Sequence, residues 1–126
     1  MSNNNLEIII PEVNTENGLK LCDGEKTIYI QSLQIFVSNA PKVLEKIRAV
    51  SENNLQEYSI GVHGLKGICD YIGAEEARKT AKQLEDMSRN GDLAGVLAKN
   101  ESFIKYTENI IGSLQAWLKK NNAVSS

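Results

Sequence analysis

The 126-residue sequence holds one histidine, two cysteines, two prolines and one tryptophan. Each scarcity excludes something. A lone His63 rules out a histidine-rich metal site and any pair of histidines sharing acid–base work. Cys22 and Cys69 stand far apart with no CxxC spacing, so they read as reduced thiols of a cytoplasmic protein rather than a disulfide or zinc frame. With Pro11 and Pro41 as the only prolines, most of the chain is free to be helical. No apolar run approaches the roughly 18 residues of a membrane helix. The polar start, Met1–Asn5, lacks the basic and apolar stretches of a signal peptide. No membrane partner is expected. A formal net charge of −2 argues against nucleic acid, which rewards clustered positive charge.

What is present fits one compact domain over 1–126, with 41% apolar and 24% charged residues. Residues 1–10 read as an N-terminal arm, whose short apolar run Leu6–Ile10 ends at Pro11 and packs on the rest. Residues 11–120 read as a helical bundle, and 121–126 as a fraying tail. Asn14–Gly18 can start a short helical turn. From Gly24 the helical period takes over. Ile28, Ser32, Leu33, Phe36 and Val37 define an apolar stripe. It is interrupted at Ser38–Pro41 and resumed by Ala40, Val43, Leu44, Ile47 and Val50, giving two short helices or one kinked one. A turn at Ser51–Asn54 leads to a helix from Leu55 to Ile72, with Leu55, Tyr58, Val62, Leu65, Cys69 and Ile72 inward and Gly73 as its stop. The next helix runs from about Ala74 to Arg89, with Ala77, Ala81, Leu84 and Met87 or Ser88 inward. The last runs from about Leu93 to Lys120. Its apolar pairs Val96-Leu97, Phe103-Ile104, Ile110-Ile111 and Trp117-Leu118 recur every seven residues, which suits neighbours crossing at a shallow angle. The expected fold is all-α: an antiparallel up-down four-helix bundle with an additional N-terminal helical segment. The chain is expected to act as a monomer.

The chemistry concentrates in Gly61-Val62-His63-Gly64-Leu65-Lys66-Gly67. Val62 and Leu65 belong to the buried stripe. At about 100° per residue, His63 lies instead with Gln56, Ser59, Ile60, Lys66, Gly67 and Asp70 on the solvent side. Three glycines in one helical segment each cost about 1 kcal/mol relative to alanine, and close approach of another molecule is a physical reason to accept that cost. Gly67, one turn past His63 on the same face, would clear the surface over the imidazole. Lys66 places a positive charge beside it, and Ile60 offers an apolar docking contact. An exposed histidine, a cleared surface and an ammonium suit an anionic group on the ring.

His63-Gly64-Leu65-Lys66-Gly67, followed by Gly73-Ala74, resembles the H-x-L-K-G…G-A signature of histidine phosphotransfer (HPt) domains, and the likeness extends over roughly Ile10 to Leu118. The resemblance implies that His63 accepts a phosphoryl group on Nε2, that Lys66 assists that group, and that Gly67 lets a receiver domain dock. It implies that Glu85, on the following helix, hydrogen-bonds Nδ1, and that Lys82, one turn earlier, lies in the binding surface. Gly61 and Gly64 depart from the family pattern, Gly64 adding to the cleared surface. The implied function is a carrier in a two-component phosphorelay, exchanging phosphoryl groups with the aspartate of a response-regulator receiver domain or taking them from a sensor or hybrid histidine kinase. No cofactor of its own is expected, since Mg²⁺ would sit on the partner. No GxxxxGK[ST] loop is present, so the chain should be a carrier rather than a kinase. Two other readings stay open. The bundle could be an adaptor that docks a receiver or other signalling partner without being phosphorylated. A hydrolase using His63 as base lacks an evident nucleophile and an enclosed pocket.

Overall fold

The structure, a computed structural model, is described over residues 7–123. The polar start Met1–Asn5, Leu6 of the arm and positions 124–126 lie outside the described residues. Among the described residues five α-helices follow in order: α1 (Thr15–Leu21), α2 (Lys26–Ile47), α3 (Leu55–Ile72), α4 (Glu75–Arg89) and α5 (Leu93–Lys120), with a 3-10 turn at Glu52–Asn54 before α3. Among the described residues there is no strand.

Burial alternates along residues 7–10, the pattern of extended backbone. Ile8 and Ile10 are buried, whereas Ile9 is exposed. The indole N–H of Trp117 donates to the Glu7 carbonyl at 3.3 Å, tying the arm to α5. The short α1 is capped by Asn14, whose side chain accepts the Asn17 N–H. It presses Gly18 against the ring of Tyr29. Tyr29 in turn donates its hydroxyl to the Ile72 carbonyl at 2.7 Å, at the end of α3.

α2 is one continuous helix despite Pro41 in its interior. Pro41 cannot donate the usual bond back to Val37, but it is exposed. The buried stripe Phe36, Ala40, Leu44, Ile47 runs past it unbroken, so packing holds the helix where local propensity would not. The stripe begins at Tyr29 rather than Ile28, which is half exposed. α3 ends in a left-handed Gly73 (φ 82°), with the Ala74 N–H reaching back to the Cys69 carbonyl at 2.9 Å. A Cβ there would collide with the carbonyl oxygen of Asn14. The Asn14 N–H donates to the Gly73 carbonyl at 2.7 Å, so the joint between α3 and α4 is pinned from outside.

The four longer helices neighbour one another in a ring, α2 with α3 and α5, and α4 with α3 and α5. The core is lined by Leu33, Phe36, Leu65, Leu84, Ile110 and Leu114. A second tie lies at the Ile47 end, where Asn100 on α5 accepts the Tyr58 hydroxyl at 2.7 Å and donates to the Ile47 carbonyl at 2.8 Å. Of the apolar pairs on α5 one departs from expectation, because Leu97 is 56% exposed. α2 stops at Ile47, and the link Arg48–Val50 borders an open cleft of about 450 Å³ that Leu97 lines. In the tail, the Ala123 N–H donates to the Leu118 carbonyl at 2.8 Å and its carbonyl accepts Gln34 Nε2 at 2.6 Å.

Candidate functional site

α3 and α4 lie side by side, joined by the fixed Gly73 turn, and their facing surfaces carry the polar cluster. His63 projects from α3 with its side chain 58% exposed, and its Nδ1 lies 2.7 Å from Glu85 Oε2 on α4. Glu85 is almost wholly buried, at 2%. A buried carboxylate is costly unless paired and hydrogen-bonded, and both of its oxygens are engaged. Lys66 Nζ donates to Oε1 at 2.9 Å. Arg89, one turn along α4, places Nη2 2.7 Å from Oε2. Burial raises the Glu85 pKa and is the largest single influence. The hydrogen bonds from Lys66 and His63, with the charges of Lys66 and Arg89, outweigh it and hold the carboxyl below its ordinary value. An ionised carboxylate accepts but cannot donate, so it assigns the imidazole proton to Nδ1 and leaves a lone pair on Nε2.

The structure thus brings His63, Lys66 and Glu85 together. Ile60 is 66% exposed, and Gly64 is exposed. Gly67 is half-buried, yet a Cβ added at Gly64 or Gly67 would meet nothing within 4 Å. Gly61 differs, since its Cβ would come within 2.9 Å of an Ile47 methyl, so this glycine serves the packing of α2 on α3. Lys82 does not join the cluster. Its ammonium pairs with Asp86 at 2.9 Å on the exposed flank of α4. Ser59, expected on the solvent side of His63, is buried. It shares the side of α3 that carries Lys66, and that side faces α4, so the buried stripe is wider than one helix face. Arg89 was not anticipated. Its sequence signal was the i,i+4 spacing from Glu85, a generic helix pairing. Among the described residues no group of three or more His, Cys, Asp or Glu side chains is placed to hold a metal ion, and no helix is long and apolar enough to cross a membrane.

A family model of the Hpt domain matches residues 31–119, which takes in α3, α4 and most of α2 and α5. The chain belongs to the Hpt domain family, whose members serve histidine phosphotransfer in two-component signalling and interact there with receiver domains and histidine kinases. Comparison with curated proteins and with solved structures gave no match.

Proposed function

We propose that this chain is a phosphoryl carrier of a two-component phosphorelay, with His63 as the phosphoacceptor. The observation that carries the reading is the 2.7 Å contact between His63 Nδ1 and the buried Glu85 carboxylate, beneath a ring that is itself largely exposed. Holding the proton on Nδ1 presents the Nε2 lone pair to a partner. In the forward step Nε2 attacks the phosphorus of a receiver's aspartyl phosphate. The P–N bond forms, the P–O bond breaks, and the aspartate carboxylate leaves with the electron pair. The ring takes on positive charge, which the Nδ1–H shares with Glu85. Transfer back to an aspartate reverses each change.

The chain's own contribution is orientation and charge. Lys66, a quarter exposed and held on the same carboxylate as His63, is the ammonium that would turn from Glu85 towards phosphoryl oxygens. Gly64 and Gly67 leave the surface open for a receiver, with Ile60 as an apolar contact and Lys82 at the α4 edge. Mg²⁺ belongs to the receiver or kinase in this reading, and the chain carries no ATP site of its own. The fold that presents the site is an antiparallel up-down four-helix bundle of α2–α5. That arrangement is supported by Tyr29 meeting Ile72, Gln34 meeting Ala123, His63 meeting Glu85, and Lys99 meeting Gln83.

Incubation with a phosphorylated receiver should give an acid-labile, base-stable label, because a P–N bond hydrolyses once its nitrogen is protonated. His63→Gln should remove the label while leaving the helical circular dichroism intact. A label that survives in that variant places the chemistry elsewhere. A folded wild-type chain that binds receivers yet takes no label is an adaptor. With Mg-ATP alone the purified chain should stay unlabelled.

A further inference from the structure

Glu85 poses an electrostatic difficulty for the function proposed above. A buried carboxylate 2.7 Å from an imidazole favours the imidazolium form. Imidazolium has protons on both nitrogens and no lone pair with which to attack phosphorus. The orienting group therefore works against the nucleophile unless its charge is offset. Lys66 offsets it at Oε1. Arg89 reaches Oε2, the same oxygen that His63 uses, and at the same 2.7 Å. Its guanidinium carries a charge that no accessible pH removes.

We propose that Arg89 is a positioning residue of the phosphotransfer site: it shares Oε2 with His63 and offsets the carboxylate, so that Glu85 orients the ring without drawing a second proton onto it. The inference rests on the phosphocarrier reading for its functional meaning. The polar contacts of Glu85 come from Lys66 and His63 on α3 and Arg89 on α4. The other charges on that stretch of α4, Lys82 and Asp86, pair with each other. Glu85 with His63 alone would leave one negative charge in the cluster. Lys66 cancels it, and Arg89 turns the balance positive, which disfavours a further proton on the ring. Arg89 is 59% exposed, so its effect is moderated by solvent, but it acts through an oxygen that is not.

The test is an NMR titration of His63 in the unphosphorylated chain, paired with phosphoryl acceptance rates across pH. Arg89→Ala should raise the His63 midpoint by about half to one pH unit, which is roughly three- to tenfold more imidazolium above the midpoint. Acceptance should slow most at low pH, with the deficit shrinking as pH rises. Arg89→Lys should restore most of both. In a Glu85→Gln background, Arg89→Ala should move the midpoint by less than about 0.2 units, because the charge to be offset is gone. An unchanged midpoint in Arg89→Ala overturns the proposal. So does a rate loss equal at every pH, which would make Arg89 a phosphoryl or docking contact. The midpoint is read without any partner, so it decides the role of Arg89 separately from whether the wild-type chain accepts a phosphoryl group.

Discussion

Two polar side chains are equally hidden in this molecule, and they are wired in opposite ways. Asn100 is 4% exposed and closes a neutral circuit, taking the hydroxyl of buried Tyr58 and giving to the backbone of buried Ile47. Glu85 is 2% exposed and ends an open one, since its partners His63 and Arg89 reach solvent and Lys66 is partly exposed. If the Asn100 circuit is cut, the Tyr58 hydroxyl and the Ile47 carbonyl lose their partner while their own residues stay buried. If Glu85 is removed, its partners hydrate where they stand. The first arrangement therefore holds the bundle, and the second can be spent on chemistry without loosening it.

The sharpest way to break that contrast is a pair of leucines. Glu85→Leu should lower the phosphoryl acceptance rate by at least about tenfold, as loss of an orienting carboxylate does elsewhere. Its stability in a denaturant melt should be unchanged or slightly increased, because replacing a buried ion cluster with a packed apolar side chain is often neutral or better. Asn100→Leu should do the reverse. It should cost about 2–3 kcal/mol, since it leaves a buried hydroxyl and a buried carbonyl unpaired, while transfer per folded molecule is kept. If Glu85→Leu proves the more damaging to stability, the open circuit is structural after all. Tyr58→Phe is a milder cut and should cost about 1–2 kcal/mol by the same melt.

The glycines sharpen the comparison on the surface. Gly67→Ala meets open space and should stabilise the chain by up to about 1 kcal/mol, with Gly67→Arg slowing transfer far more than it alters the melt. Gly61→Ala should forfeit that gain against the Ile47 methyl. Equal gains at both positions would mean that α2 yields easily to α3. The smallest effect expected is acidic. Glu85 has a lowered pKa in the folded chain, so its contribution to stability is complete above the ordinary carboxylate pKa of about 4.3. It fades as pH falls from there through the lowered folded value. Wild type should therefore lose more stability than Glu85→Gln across that acid range, as read by thermal melts.

Much of this was legible in the residues. The helices α3 and α5 follow from apolar period and from glycine or polar stops, and His63 fell outside the stripe that Val62 and Leu65 define. The side chain of Glu85 was less legible. Nothing in the local pattern of α4 marks a glutamate as buried, since its burial depends on how α3 lies against it, and only the resemblance pointed to it. Lys82 and Arg89 show the same limit. Both are basic and near Glu85 on α4, yet Lys82 turns to Asp86 and Arg89 to the site, and helical spacing alone does not choose between them. Continuity through Pro41 was equally hidden, because tertiary packing rather than propensity decides it.

The pinned turn at Gly73 makes α3 and α4 the two arms of a gauge. His63 stands nine residues before the end of α3 and Glu85 ten after the start of α4, so at 1.5 Å per residue the arms are nearly equal and bring the two side chains level. One residue added between Gly73 and Glu75 would rotate the second arm by about 100° and carry the carboxylate away from the ring. The turns at Ser51–Asn54 and Asn90–Asp92 lie outside this gauge and set no part of it. A peptide tag or fluorescent insertion belongs there, where lengthening the chain leaves the alignment of imidazole and carboxylate untouched.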